Sequence, residues 1–454
     1  MKFSMKAIVA ALSLSLAGTA SWAQVSPEEL KQLGTTLTPW GAEIAGNADG
    51  SIPAFTGGLQ GQDNYDTANR RFANLFADEK PLLSISAKNM AEYANKLTVG
   101  TQELMKRWPD FRIDVYPTHR TIFQSQERAE QALKNAANPD CKTTDNGVGI
   151  RGCWGGTPFP IPKTGYQVMW NALLRGDAYT QERFQNWLVD ANGTPTMVNE
   201  SLTMPEFPYS DLKQTPYEGT GSYYYRLRND TLSPTRDAGQ KNIIWYPLKA
   251  DEMDQRIWSY TTGQRRTRLA PEFSYDTPSA NLAGALNYDE LSIFSGRMDR
   301  FDFELVGKQE MFVPYNSYKI NHTPIDQLLG SKFANPDKVR WELHRVWVVK
   351  AKRKADKRHI AAERVFYIDE DSWAFLATEG KDDSGKLFRV GFTNLQASSK
   401  GGSVIAGGGF YYDLSKGQYL LATYVDPKTG FIKIDGKNDD RLYRSESMAG
   451  SGVR

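Results

Sequence analysis

The chain has 454 residues, and its 55 lysines and arginines nearly balance 53 aspartates and glutamates, which gives a formal net charge of +2. A chain so close to neutral lacks the long-range attraction for phosphate backbones on which nucleic-acid binding depends, so nucleic acid is excluded as the expected partner. Aromatic residues make up 12% of the chain, which favours β-strands and large buried surfaces.

The first residues have the pattern of a secretory signal peptide. Two lysines precede an apolar run at 7–17 that is too short to span a bilayer. Ser21 and Ala23 are small residues at the third and first positions before a cleavage site that follows Ala23. We therefore expect residues 1–23 to be removed during export from the cytoplasm.

The chain after the signal divides by composition into an arm, a domain and a tail. Residues 24–60 are rich in Gly, Pro, Asn and Asp, which is typical of an irregular N-terminal arm. Residues 61–445 are expected to form a single domain, and 446–454 a flexible tail. Apolar residues at helical spacing predict helices near the start of the domain, at 86–108, 124–135 and 164–175.

The two cysteines, Cys141 and Cys153, are expected to form a disulfide. An even, closely spaced pair in an exported protein is most simply a structural bridge. The spacing is not C-x-x-C and no histidine lies between them, which argues against a redox or metal role. We expect no metal site and no cofactor.

Strand signals dominate after the third predicted helix. Runs of β-branched and aromatic residues recur about every ten residues, separated by turn signals such as Asn192-Gly193. This spacing predicts a mainly β (α+β) protein with a large curved antiparallel sheet or an unclosed barrel, and a few helices packed against it. Residues 298–307 and 310–314 are predicted as separate strands, and the glycine-rich run 401–409 as a flexible loop.

The stretch 341–378 carries the clearest strand pattern and predicts three antiparallel strands. In the first strand, one face carries Leu343, Trp347 and Val349, and the other carries Val346 and Val348. A sheet that is apolar on both faces is either covered on both or open to an apolar ligand. We expect the two faces of this strand to meet different environments.

No catalytic motif is found in the sequence. It has four histidines, no G-x-S-x-G and no H-E-x-x-H. His359 and Glu363 have the spacing of metal ligands on a helix, but they lie at the start of a predicted strand, so His359 is expected at the surface. Acidic turns such as 369–371 leave a hydrolase of a polysaccharide or ester open as an alternative, because the pairing of catalytic carboxylates is spatial.

The candidate ligand contacts are aromatic residues at alternating strand positions. They are Trp245, Trp258, Tyr260, Phe301, Phe303, Trp347, Tyr367, Trp373 and Phe375. The alternative at each position is an ordinary core side chain. Arg266 and Arg268 share one strand face, and we expect them to pair with acids or to bind a phosphate or carboxylate headgroup at the rim of an apolar site.

Several segments resemble an uncharacterised family of Gram-negative exported proteins that is labelled outer-membrane-lipoprotein-sorting-like (domain of unknown function 1329). These segments are 45–58, 257–271, 275–278, 299–316, 344–349 and 358–371. The resemblance implies a fold similar to the LolA/LolB lipoprotein carriers, in which an unclosed antiparallel barrel wraps over helices and an apolar cavity holds acyl chains. It also implies a periplasmic location and an RND-type exporter or outer-membrane protein as partner.

Together these features predict a non-enzymatic periplasmic carrier or chaperone for a lipid or other hydrophobic molecule. Binding would come from burial of apolar surface. The hydrolase alternative requires two carboxylates that converge in a cleft. A second alternative, an adaptor associated with the outer membrane, requires a large exposed apolar patch and no cavity.

Overall fold

A computed structural model describes residues 25–176, 180–269, 275–399, 404–434 and 438–450. The predicted signal peptide, residues 1–23, lies outside the described residues. The α-helices are α1 Pro27–Leu30, α2 Val99–Arg107, α3 Gln126–Ala137, α4 Gly165–Leu173, α5 Ile325–Leu328 and α6 Ser447–Gly450. None of the helices in these ranges is long and apolar enough to cross a membrane.

Short 3₁₀ helices connect many of the elements. They lie at Met90–Lys96, Pro208–Ser210, Gly219–Ser222, Ala280–Leu282, Tyr288–Glu290, Tyr318–His322, Pro336–Lys338 and Asp440–Tyr443. Two of them, Ala280–Leu282 and Tyr288–Glu290, belong to a segment that covers one part of the sheet, as described below.

Strands make up most of the regular structure. In chain order they are β1 Tyr65–Asp66, β2 Arg71–Phe72, β3 Leu83–Ser86, β4 Arg112–Val115, β5 Lys142–Thr143, β6 Ile150–Arg151, β7 Thr180–Val189, β8 Pro195–Glu206, β9 Tyr223–Ser233, β10 Lys241–Pro247, β11 Arg256–Thr261, β12 Arg266–Leu269, β13 Phe301–Pro314, β14 Arg340–Arg353, β15 Glu363–Asp369, β16 Phe375–Lys381, β17 Leu387–Ala397, β18 Val404–Asp413, β19 Gln418–Tyr424 and β20 Phe431–Ile434.

One open sheet contains sixteen of these strands. Its order is β12-β11-β10-β9-β8-β7-β19-β18-β17-β16-β15-β14-β4-β3, with β13 also paired to β14 and β20 also paired to β7. All pairs are antiparallel except β14 with β4. Within the described ranges β12 and β3 are free edges, so the sheet does not close. The expected fold class, a mainly β protein with an unclosed sheet and few helices, is confirmed.

The two faces of the sheet belong to two separate core clusters. The first core cluster contains Val346 and Val348 of β14, and α2 covers it with Leu104 and Met105. The second core cluster contains Val349 of β14, with Trp347 packed against it. The expected difference between the faces of β14 is therefore confirmed, but both faces are covered by protein at this stretch.

Helix α4 covers the second core cluster, and Leu343 departs from the predicted alternation. Val168 and Trp170 of α4 are buried in the second core cluster. Leu343 was predicted on the face of Trp347, yet it belongs to the first core cluster. Leu343 precedes Val346, the residue at which the pairing of β14 with β15 begins. Leu343 therefore has no partner in β15 that would fix its surroundings.

Several predicted boundaries are wrong for local reasons. The two strands expected at 298–307 and 310–314 are one strand, β13, which continues through a bulge at Gly307. Gly307 has φ +132°, a conformation that glycine adopts without strain. The long helix expected at 86–108 is interrupted at Thr98, which is extended (ψ 155°) and caps α2 by accepting a hydrogen bond from the Thr101 N–H.

Two segments expected to be irregular are ordered parts of the sheet region. Most of the glycine-rich run 401–409 is strand, because β18 begins at Val404, while 400–403 lie outside the described residues. Residues 446–450, the described part of the predicted tail, include α6, and Met448 is fully buried against Ile243 and Tyr260. Burial of an apolar side chain holds this end of the chain on the sheet.

The disulfide between Cys141 and Cys153 is confirmed. It joins the residue directly before β5 to the loop after β6, and Cys153 is buried in the second core cluster. The bridge therefore fixes the connection between α3 and α4 against the face of the sheet that α4 covers.

Candidate binding cavity and buried charge cluster

A cavity of about 330 Å³ lies on the side of the sheet that carries the second core cluster. One wall is formed by β7–β11, β18 and β19, and the other by segment 279–295 and the C-terminal end of α4. Members of the second core cluster, including Tyr224 and Phe294, line the cavity. The volume lies at the lower end of the range of small-molecule sites, roughly 300–1,000 Å³.

Strand alternation decides which side chains reach the cavity. Successive side chains of a strand point to opposite faces, so every second residue lines the wall. The contributing residues are Thr180, Glu182, Phe184 and Asn186 on β7, Tyr225, Leu227 and Asn229 on β9, and Asn242, Ile244 and Tyr246 on β10.

Most of the wall is apolar or aromatic. Its apolar and aromatic residues include Leu173, Phe207, Tyr224, Leu227, Ile244, Ile257, Leu282, Leu286, Leu291 and Phe294. Tyr225 and Tyr246 stack with ring centroids 5.9 Å apart, which fixes both rings in the wall. The surface offered to a ligand is therefore mainly hydrocarbon and aromatic, which favours an apolar molecule.

A row of asparagines gives part of the wall a polar character. Asn186 Nδ2 donates to Asn199 Oδ1 at 3.2 Å, and Ser259 Oγ donates to Asn242 Oδ1 at 2.8 Å. Asn229 Oδ1 is buried and accepts no hydrogen bond within the described residues. The row thus leaves an acceptor available to a ligand beside the apolar surface.

Two glycines of β18, Gly408 and Gly409, line the cavity. Gly408 has φ +93°, and a Cβ placed there would lie 2.9 Å from the backbone oxygen of Ala422. A side chain at Gly408 would therefore collide with β19, which accounts for a glycine at this position inside a strand.

The wall carries two formally charged side chains among its described residues, Arg175 and Glu182. Burial raises the pKa of Glu182, although Thr180 Oγ donates a hydrogen bond to its Oε1 at 2.9 Å. Burial lowers the pKa of Arg175 to about 10, so its guanidinium remains protonated at neutral pH. Arg175 and Glu182 form no ion pair with each other.

None of the residues predicted from the sequence as ligand contacts lines this cavity. Phe301, Phe303, Trp373 and Phe375 are buried in the second core cluster, and Trp347 packs against it. These five therefore lie on the same side of the sheet as the cavity but within packed core. Ligand contact by these residues stays a prediction.

The other predicted aromatic contacts lie on different faces. Tyr367 belongs to the first core cluster, on the opposite side of the sheet. Trp245, Trp258 and Tyr260 form a cluster with Ile243 that the C-terminal segment covers. Trp373 is not in a strand as predicted, because the turn after β15 continues to it and it has φ +59°.

Arg266 and Arg268 are exposed on the edge strand β12. The register pairs Arg268 with Ser259 and Arg266 with Thr261. Directly paired residues of antiparallel strands share a face, and Ser259 shares its face with the cavity residue Ile257. Both arginines thus lie on the cavity side of the sheet, beyond its wall, and a headgroup role at the rim stays a prediction.

The residues that do line the cavity carried a weak signal in the sequence. Asn186, Asn199, Asn229 and Asn242 are polar residues inside strands, at positions where asparagine is depleted. Glycines within β18 were a second signal. Arg175 carried no such signal, because its neighbours in the sequence do not distinguish it from any other basic residue at the end of a helix.

A buried charge cluster lies at the turn after β15, away from the cavity. Arg120 donates to both oxygens of Asp371, from Nη2 at 2.6 Å and from Nε at 2.9 Å. Lys308 Nζ lies 3.0 Å from Glu370 Oε2 and 2.7 Å from Glu43 Oε1. Because Glu43 belongs to the N-terminal arm, these ion pairs fasten the arm to the sheet.

Among the described residues, His344, Asp369 and Asp371 bring atoms of metal-ligand type within 4.8 Å of one another. Arg120 occupies both oxygens of Asp371, and His344 is hydrogen-bonded to Glu342 at 3.0 Å through Nε2. A cation would have to displace Arg120, whose charge already satisfies Asp371. The arrangement therefore supports a structural ion-pair cluster.

His359 was predicted at the surface, and this is wrong. It is 5% exposed, and its Nε2 lies 2.9 Å from Asp289 Oδ2. Arg364 Nη1 donates to the same oxygen at 2.7 Å. Asp289 is 70 residues earlier in the chain, so neighbouring residues in the sequence could not reveal this partner.

We expect Asp369→Asn to change how stability depends on pH. Burial and the charge of Asp371 raise the pKa of Asp369 to about 6 from an ordinary value of 3.8. The folded state therefore holds this proton more tightly than the unfolded state, and wild-type stability falls as pH rises from about 4 to 6. The variant should therefore gain stability relative to wild type across this window.

The measurement is urea unfolding of both proteins at a series of pH values, with Asp382→Asn as control. Asp382 is an exposed turn residue whose pKa is lowered by hydrogen bonds, first from Ser384. Its variant should lose relative stability as pH rises, the opposite sign. A pH-independent difference between Asp369→Asn and wild type would contradict the assignment of Asp369.

Comparisons with known proteins place the chain among uncharacterised relatives. The family model described as protein of unknown function (DUF1329) matches residues 84–449. An uncharacterized protein of Pseudomonas aeruginosa is 35% identical over 439 residues, covering 95% of this chain and 92% of the relative. The resemblance noted from the sequence is therefore confirmed at the level of the family.

Two solved structures are similar to parts of this fold. One is a DUF1329 family protein from Desulfovibrio piger, with 12% identity, a TM-score of 0.43, and coverage of 63% of this chain and 97% of that one. The other is a LolA superfamily protein from Nitrosomonas europaea, with 10% identity, a TM-score of 0.38, and coverage of 63% of this chain and 100% of that one.

Proposed function

The chain belongs to the DUF1329 family of proteins of unknown function, and we propose that it is a periplasmic carrier that holds one hydrophobic molecule in the cavity beside the sheet. The observation that carries the proposal is a 330 Å³ cavity with a mainly apolar and aromatic wall. An apolar molecule gains about 25 cal/mol per Å² of surface that it buries there, before the costs of ordering.

The cavity distinguishes this function from the two alternatives. A hydrolase of the glycosidase type needs two carboxylates about 5–10 Å apart in its cleft, and Glu182 is the one carboxylate on the described wall. An adaptor needs an exposed patch and no cavity. The signal-like N-terminus supports a periplasmic location, and an RND-type exporter or outer-membrane partner stays a prediction.

Native mass spectrometry of the protein, produced with its own N-terminal segment in a Gram-negative host, tests the carrier function. We expect a fraction of the molecules to carry an added mass of one small hydrophobic compound, which organic solvent releases. Protein with no added mass, which also fails to bind a fluorescent apolar probe after extraction with solvent, would contradict the proposal.

We expect Leu227→Trp to weaken binding of an apolar probe at least roughly tenfold, a loss of about 1.4 kcal/mol. Leu227 points into the cavity from β9, and the larger ring would occupy volume that the ligand needs. The measurement is a fluorescence titration of the purified variant.

The matched control is Leu232→Trp, the same substitution on the same strand. Leu232 is 40% exposed and lies outside the cavity wall. This variant should keep the wild-type affinity. Equal affinities for the two variants would show that the probe binds somewhere other than the cavity.

A further inference from the structure

Arg175 brings a positive charge to the cavity directly after helix α4. Its Nη1 donates to the backbone oxygen of Ala172 at 2.7 Å, and its guanidinium lies 6.0 Å from the ring of Phe375. One hydrogen bond to a backbone oxygen uses one of the five N–H donors of a guanidinium. The remaining donors meet no acceptor among the described residues.

The charge of Arg175 has no carboxylate partner within 4.0 Å in the described parts of the chain. By contrast, the buried Arg120 pairs with Asp371, and the buried Arg389 pairs with Glu290. Glu182 shares the cavity wall, but burial favours its neutral form and no ion pair joins it to Arg175. Arg175 is partly buried, and a cation that has lost part of its water and has no counter-ion is stabilised by an anion that binds beside it.

We infer that the molecule bound in the cavity carries one anionic group, a carboxylate or a phosphate, and that Arg175 binds this group. This inference rests on the proposed carrier function and names the class of its ligand. The guanidinium fork matches the two oxygens of a carboxylate or phosphate, and its remaining donors are free to do so. The apolar part of the ligand then lies against residues such as Leu227 and Ile244.

The size of the cavity limits the apolar part. A volume of 330 Å³ suits a drug-sized molecule. A single-chain amphiphile or a compact hydrophobic acid fits this volume better than a lipid with several acyl chains. The ligand class is therefore a small hydrophobic molecule with one anionic group.

The test compares three compounds with the same alkyl chain: laurate, dodecyl phosphate and dodecanol. Each competes with a fluorescent apolar probe, and the readout is the ratio of the anion's affinity to that of dodecanol. We expect the wild type to prefer at least one anion over dodecanol by roughly tenfold to a hundredfold, the value of a hydrogen-bonded charge pair. The two anions distinguish a carboxylate ligand from a phosphate ligand.

Variants at Arg175 assign the preference to this residue. Arg175→Gln should remove the preference for the anions over dodecanol, and Arg175→Lys should keep part of it. The readout is a ratio of two affinities measured on the same protein. Partial unfolding of a variant lowers the number of binding sites for every compound alike and therefore does not change this ratio. The double variant R266Q/R268Q removes the exposed rim charges and should leave the preference intact.

The possible outcomes separate the inference from the carrier function. If none of the three compounds binds the wild type, the carrier function is wrong. If dodecanol binds as tightly as both anions, or if Arg175→Gln keeps the preference, the carrier function stands and the role of Arg175 is wrong. Loss of the preference in the R266Q/R268Q variant, but not in Arg175→Gln, would place the anion at the rim.

Discussion

Replacement of Arg120 by Met is expected to lower the free energy of unfolding by about 3–5 kcal/mol. The Arg120 side chain is 2% exposed and holds Asp371 through two hydrogen bonds, while Glu370 lies 3.7 Å away. Methionine fills similar space but leaves the Asp371 carboxylate buried without a counter-ion. Urea unfolding followed by tryptophan fluorescence at pH 7 measures the loss.

Two further variants test whether the loss of stability comes from the Asp371 carboxylate, which R120M leaves without a counter-ion. In the double variant R120M/D371L both charges are absent, so it should be more stable than R120M alone. Arg112→Met removes an arginine that also lies beside two carboxylates, those of Asp114 and Asp337, but is 37% exposed, and it should cost under about 1 kcal/mol. A loss under 1 kcal/mol for R120M itself would mean that the Asp371 carboxylate does not depend on Arg120 as its counter-ion.

Replacement of Trp373 by Ala is also expected to cost about 3–5 kcal/mol, the range for deleting a buried tryptophan side chain. Trp373 is 1% exposed, stacks on Trp347 with ring centroids 6.0 Å apart, and donates from Nε1 to the backbone oxygen of Trp40 at 3.0 Å. Its removal opens a void between the turn after β15 and the N-terminal arm.

Trp373→Gly separates the side chain from the backbone. Residue 373 has φ +59°, a left-handed conformation that is costly for alanine and not for glycine. The glycine variant should therefore be more stable than the alanine variant by about 1 kcal/mol. Both variants should bind the apolar probe with wild-type affinity once folded, because Trp373 does not line the cavity; a tenfold weaker affinity would instead support its predicted role as a ligand contact.

The sheet was predictable because its evidence is local. The β-branched and aromatic residues of β14–β16 form runs that are typical of buried strands. Asn192-Gly193 predicted the hairpin between β7 and β8. Predictions failed where a distant partner decides the structure. His359 was predicted at the surface but is buried beside Asp289. Met448 lies in the predicted flexible tail but is buried against Ile243 and Tyr260.

The cavity was not predictable for the same reason. Its wall joins β7–β11 to the segment 279–295, and the chain returns through β18 and β19 to complete it. Large aromatic residues in strands were predicted as ligand contacts, yet such residues more often fill a core. The wall of the cavity combines other aromatic residues, such as Tyr225 and Phe294, with smaller polar residues and glycines such as Asn199, Asn229 and Gly408.

The most direct test of the carrier function and of the role of Arg175 is a crystal structure of the protein with laurate or dodecyl phosphate, whichever binds the wild type more tightly. We expect electron density for the alkyl chain beside Leu227 and Ile244, with the anionic group at the guanidinium of Arg175. An empty cavity, with the compound absent or bound only at Arg266 and Arg268 on the edge strand, would contradict both.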